Sequence, residues 1–263
     1  MLGKLIGALL GYWLGGFLGL LIGLILGHQL DKNLIRLAGG FVLSSLAKHQ
    51  VQVQQIFFEA TFGIMGHLAK ADGRVSEQEI ALARQVMQRM GLNDNAQRMA
   101  VDYFGRGKQP DFDLDAMLER LRTTLRGQQN LTRMFIEIQL SAAFADGQLQ
   151  ASEREVMEKI CVQLGFPLDA FERLVNMIQA EIHHQQAGRD QGPSLEDAYA
   201  ILNIDETASD AEVKKAYRRL TSQHHPDKLA AKGLPKEMMK LAEEKTHEIR
   251  SAYERIRETR GFK

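Results

Sequence analysis

Apolar residues recur at spacings of three and four along most of the chain, and few stretches alternate apolar with polar residues. That is the period of amphipathic helices, so the pattern predicts an all-α protein. Four stripes stand out: Ile56, Phe57, Ala60, Ile64 and Leu68; Met134, Ile138, Ala142 and Ala145; Val213, Ala216, Tyr217 and Leu220; and Met239, Ala242, Ile249, Ala252, Tyr253 and Ile256. These positions, with Phe135, Phe144 and Phe171, are expected to be core and not a ligand pocket. Leu5 to Leu26 departs from the pattern, being apolar all round and uncharged.

That run of 22 residues would make a helix of about 33 Å, enough to cross a hydrocarbon core of roughly 30 Å. It is too long for the core of a cleaved signal peptide, and no small-residue cleavage site follows. Gly3, Gly7, Gly11, Gly15, Gly19, Gly23 and Gly27 recur at every fourth position. Such a stripe lets two helix backbones approach closely in a right-handed crossing, so self-association of this helix as a homodimer is expected. Only Lys4 precedes the run, whereas Lys32, Arg36 and Lys48 follow it. The positive-inside rule therefore places a very short N-terminus outside and the bulk of the chain in the cytoplasm.

Residues 55–182 contain an internal echo. Ala71-Asp72-Gly73, Ser76-Glu77-Gln78-Glu79 and Gly91 are matched by Ala145-Asp146-Gly147, Ser152-Glu153-Arg154-Glu155 and Gly165. Each copy predicts a helix, an Asp-Gly turn, a helix opened by a Ser-x-x-Glu capping box, and a glycine stop. A calcium loop fails on ligand spacing, because glycine directly follows the first aspartate. The paired Ala-Asp-Gly units resemble the TerB-like family, an all-helical domain of tellurite-resistance proteins and of some membrane-linked J proteins. That resemblance implies a compact helical bundle with a binding role and no known reaction.

Residues 183–193 are polar and predict a linker, which leaves five segments: 1–31 in the membrane, 32–54 beside it, 55–182, the linker, and 194–263. The last segment predicts a short helix through Tyr199 and Leu202 and then a helix opened by a Ser209-x-x-Glu212 capping box. That helix ends near Gln223, because Pro226 disfavours helix at His225. A loop and a long final helix from about Pro235 to Glu258 complete the prediction. On the second helix Lys214 and Arg218 form one exposed row, with Lys215 and Arg219 beside it.

This order, with Ala216-Tyr217-Arg218-Arg219-Leu220, His225-Pro226-Asp227-Lys228 and Ala252-Tyr253, resembles the J domain, an antiparallel helical hairpin. J domains drive ATP hydrolysis on chaperones of the DnaK class. The stretch Leu229 to Pro235 is longer than in common J domains. The whole chain is similar to the membrane-anchored DnaJ-like co-chaperones of Gram-negative bacteria. The resemblance implies a bacterial inner-membrane location and a DnaK-class partner, with a link to envelope-stress and capsule-synthesis regulation. It also implies the roles of the motif. Lys214, Lys215, Arg218, Arg219 and Lys228 would form a docking face with His225, Pro226 and Asp227. Pro226 would hold the turn and Asp227 would offer its carboxylate to a cation on the partner.

Charge narrows the alternatives. Lys+Arg and Asp+Glu are both 33, so no global basicity suggests nucleic acid. The J-like segment itself carries 14 basic and 13 acidic residues, so its positive charge is local to one helix. The single cysteine, Cys161, allows no intrachain disulfide and no Cys-based zinc site. No nucleophile–base pair or phosphate loop is present, so no reaction of its own, no cofactor and no metal are expected. The competing expectation is a membrane scaffold or sensor whose TerB-like domain binds a ligand or a protein.

Overall fold

The computed structural model of the protein describes residues 48–70, 87–88, 90–144, 147–186 and 193–262. The chain divides into residues 1–52 and Val53–Lys263, and the second unit holds nearly all the described residues. The membrane run, its glycine stripe, residues 71–79 of the first copy of the internal echo and Ala145 and Asp146 of the second lie outside them; the glycine stop of the first copy, Gly91, is left-handed at φ 68°. Among the described residues there is no strand, as the apolar spacing predicts.

The middle region is built from α1 (residues 48–68), α2 (Asp94–Gly107), α3 (Leu114–Thr124), α4 (Gln129–Ala143), α5 (Ala151–Leu164) and α6 (Leu168–Gln186). Asn93 and Asp113 cap α2 and α3, each accepting a bond from the backbone N–H three residues on, at 2.9 Å in both cases. Where α1 meets α2 the sequence supplies glycine on both sides. A Cβ on Gly107 would lie 1.8 Å from the Gly63 carbonyl oxygen, and one on Gly66 would lie 2.1 Å from that of Phe104. Only hydrogen at these positions allows the two backbones to touch. Ile56, Phe57, Ala60, Ile64, Leu68, Met134, Phe135, Ile138, Ala142, Phe144 and Phe171 are all buried.

The second copy of the echo corrects one detail. The capping carboxylate of α5 is Glu153, which accepts from the Gln150 backbone N–H at 3.0 Å; Ser152 and Glu155 lie inside the helix. The helix starts two residues earlier than the Ser-x-x-Glu pattern suggests, because Gln150 takes the cap position. The glycine stop holds: Gly165 is left-handed, at φ 66°. Helix α6 extends to Gln186, into the segment expected to be a linker.

The C-terminal region comprises α7 (Leu195–Leu202), α8 (Asp210–His224), α9 (Pro226–Lys232), a 3-10 turn (Lys236–Met238) and α10 (Met239–Arg260). Helix α10 packs along both α7 and α8, and α6 packs on α7. Ser194 caps α7, and the Ser209–Glu212 capping box opens α8: the Ser209 N–H donates to Glu212 at 2.7 Å and the Glu212 N–H to Ser209 at 3.4 Å. Ala198, Tyr199, Ile201, Leu202, Val213, Leu220, Ile249, Ala252 and Ile256 form the core of this hairpin. Tyr217 and Tyr253 stack across it at 4.2 Å between ring centroids. Arg260, at the end of α10, donates to the Tyr199 hydroxyl at 2.6 Å and to the Ala208 and Glu206 carbonyls at 2.5 Å each, tying the last helix to the loop before α8.

Candidate functional site: the His-Pro-Asp turn

The turn is a corner between two helices. Helix α8 runs one residue past its expected end, to His224, and His225 leaves the helical region at φ −58° and ψ 121°. That is the extended conformation a residue before proline prefers. The loop expected after it is instead the seven-residue helix α9. Its start follows from the same tripeptide. Pro226 occupies the first helical position, where its missing N–H costs nothing and its φ is already helical. His225 is the cap, its Nδ1 accepting from the Asp227 N–H at 3.2 Å. Gly233, left-handed at φ 108°, ends the helix. Seven residues alone are too short for a stable helix; here both ends are capped and Leu229 is buried between them.

The turn leaves Asp227 and Lys228 exposed, with His225 and Pro226 half-buried. Lys228 reaches back to α8, donating to the Ser222 hydroxyl at 2.7 Å. On α8, Lys215, Arg218 and Arg219 are exposed and Lys214 is half-buried. Lys214 lies over the Phe262 ring at 5.2 Å, and Arg218 Nε donates to the Lys214 carbonyl at 3.2 Å. Partial burial pushes the Arg219 guanidinium below its ordinary value, and the like charges of Arg133 on α4 and Arg173 on α6 push the same way. The cationic face of α8 therefore continues toward arginines of the middle region.

Beneath the turn lies a pair the sequence reading missed. His224 is buried, and it is not idle. Its Nδ1 bonds the Leu220 carbonyl at 2.9 Å, and its Nε2 faces both carboxylate oxygens of Glu137 on α4 at 3.0 and 2.9 Å. Both ring nitrogens thus face oxygen acceptors, an arrangement satisfied by an imidazolium against a carboxylate. Burial pushes the Glu137 carboxyl up, but the charge and hydrogen bonds of His224, with the charges of Lys245 and Arg133, outweigh it and hold the group at about 2. The signal for Glu137 was in the chain: one acidic residue in the apolar run Phe135-Ile136-Glu137-Ile138. A charge on a core stripe is buried only with a partner.

The DnaJ domain family matches residues 197–260, the tellurite resistance protein TerB family residues 58–176, and the co-chaperone DjlA transmembrane domain residues 1–48. A co-chaperone protein DjlA of Coxiella burnetii is 50% identical over 216 residues, covering 80% of each chain. One of Vibrio vulnificus is 43% identical over 258 residues, and one of Vibrio cholerae 42% identical over 255, each covering 90% of both chains. The chain belongs to the DjlA co-chaperone family. Its N-terminal match makes it a membrane-anchored co-chaperone, and its C-terminal region is a J domain. The J domain implies a DnaK-class partner. No solved structure matches the chain.

Proposed function

We propose that this chain stimulates ATP hydrolysis by a DnaK-class chaperone and confines that stimulation to the bacterial inner membrane. The observation that carries the proposal is the corner at His225-Pro226-Asp227, whose carboxylate stands free at the surface beside an open cationic helix face. Lys214, Lys215, Arg218, Arg219 and Lys228 steer the chain toward an acidic patch on the partner and set on-rate and specificity. Asp227 then meets a cation of the partner in a charge-assisted bond. The chain supplies no acid or base to the reaction; it binds the hydrolysis-competent state of the partner more tightly than the resting state and so raises its population.

The flanking charges favour a periplasmic N-terminus and a cytoplasmic J domain, within reach of an ATP-driven partner. Dimerisation through the Gly3–Gly27 stripe would bring two J domains together and raise their local concentration. The family resemblance points to envelope-stress or capsule-synthesis regulation as the process served. The test is single-turnover ATP hydrolysis by a DnaK-class chaperone with the full chain in detergent micelles, wild type against Asp227→Asn. Stimulation is expected from the wild type and lost in the variant, with far-UV circular dichroism unchanged. Equal stimulation by both would refute the proposal.

A further inference from the structure

The buried apolar residues of the stretch just after the His-Pro-Asp corner do not belong to the J-domain core. Leu229, Leu234, Met238 and Ala242 are fully buried, yet they join the cluster formed by Phe57, Phe135 and the rest of the middle region, not the separate cluster of α7, α8 and α10. The over-long stretch after the motif is therefore an arm that leaves one core and is seated in the other. Its fit is close: a Cβ on Gly233 would lie 2.5 Å from Val53 Cγ1 on α1, and Gln54 Nε2 donates to the Leu234 carbonyl at 3.4 Å. On the other side of the corner, His224 is held by Glu137. Asp227 sits between these two anchors, three residues after the first and two before the second.

We propose that the TerB-like region is the positioning element of the J domain's active corner, with Glu137, His224 and Leu229 as positioning residues that fix how Asp227 is presented. The inference rests on the co-chaperone function proposed above. A J domain hung on a linker would have to order its corner on meeting the partner. Here the middle region has already done so. The arm and the pair add no contact to the partner. They set the fraction of the chain that is ready to bind, and loss of that fraction weakens apparent affinity in proportion without changing the bound complex.

The experiment compares the full chain in detergent micelles with Glu137→Ala and with the double variant Glu137→Leu, His224→Leu. Breaking a buried ion pair from one side leaves the other charge stranded, whereas replacing both partners with apolar residues is often neutral. Glu137→Ala should raise the chain concentration giving half-maximal ATPase stimulation by about tenfold or more and leave the maximum within about twofold; a loss confined to the maximum would overturn the proposal. Hydrogen exchange reads the anchor directly. The amides of Gly233, Leu234 and Met238, which bond within the arm, should lose protection by on the order of a hundredfold in Glu137→Ala, while those of α7 and the Ile249–Ile256 stretch keep theirs. The double variant should regain both protection and half-saturation. Unchanged exchange in Glu137→Ala, or a double variant as loose as the single one, would overturn the proposal. If the wild-type chain stimulated nothing, the co-chaperone reading would fail, while the exchange comparison would still decide the anchoring.

Discussion

The Glu137–His224 pair makes the stability of the protein depend on pH in a way that can be calculated. The carboxyl falls from an ordinary 4.5 to about 2 on folding. That is about 2.5 decades, which at about 1.36 kcal/mol per decade is about 3 kcal/mol favouring the folded state with the group ionised. A depressed carboxyl stabilises above its unfolded value and loses that contribution as pH falls toward its folded value. The loss should therefore begin near pH 4.5 and be complete only below pH 2, with about 2 kcal/mol of it gone by pH 3. The groups facing Glu137 are His224 on α8, Lys245 on α10 and Arg133 one turn earlier on α4, so three elements share the effect.

The perturbation that isolates it is the double variant Glu137→Leu, His224→Leu, which removes the carboxyl together with the imidazole that faces it, so that neither titrates in the reference protein. Urea unfolding of the full chain in mild detergent, followed by far-UV circular dichroism, gives the stability of each protein at pH 5.5 and pH 3. Every other carboxylate titrates alike in both and cancels in the difference. The advantage of wild type over variant should shrink by about 2 kcal/mol between the two pH values. A gap constant within about 0.5 kcal/mol would mean that Glu137 is not held ionised by its partners, and the pair as described would be wrong.

Three further outcomes follow from the packing. Gly107→Ala should destabilise by about 1–3 kcal/mol in thermal or urea unfolding despite alanine's better helix propensity, because its Cβ would meet the Gly63 carbonyl; a stabilised variant would mean α1 and α2 do not cross there. Arg260→Ala should cost about 1–2 kcal/mol and raise exchange in the loop before α8, since the Ala208 and Glu206 carbonyls lose their donor. Cys161 is buried on α5, and burial, with the Glu158 charge, pushes its thiol up to about 12. It should resist an aromatic disulfide reagent at pH 8 in the folded protein and react at once in urea.

Helix positions and cores were legible in the chain because each stripe reports its own period. Every described core position expected on α1 and α4 is buried, and so are Val213, Leu220, Ile249 and Ile256. Boundaries were less so. The start of α5 was misjudged because Gln150, a residue outside the usual capping set, takes the cap position with Glu153 three residues on, and Ser152 falls inside the helix. The end of α8 was legible because Pro226 disfavours helix at the residue before it, but the helix that Pro226 itself begins was expected to be loop.

What periodicity cannot report is which core a given apolar residue enters. Leu229, Leu234 and Met238 look like any loop hydrophobics beside a J-like motif, and nothing local distinguishes a stretch packing on its own hairpin from one whose Gly233 and Leu234 meet Val53 and Gln54, 180 residues away in sequence. Glu137 was harder still, since its burial makes sense only with His224 in view, 87 residues on. Two clues together would have sufficed: a stretch longer than the motif needs, and a lone acid in an apolar helix run. An extra segment with buried leucines must be buried against something, and a carboxylate in a core must face a cation. Both requirements are met at one junction, with His224 on Glu137 on one side of the corner bearing Asp227 and Leu229 and Leu234 in the middle region's core on the other.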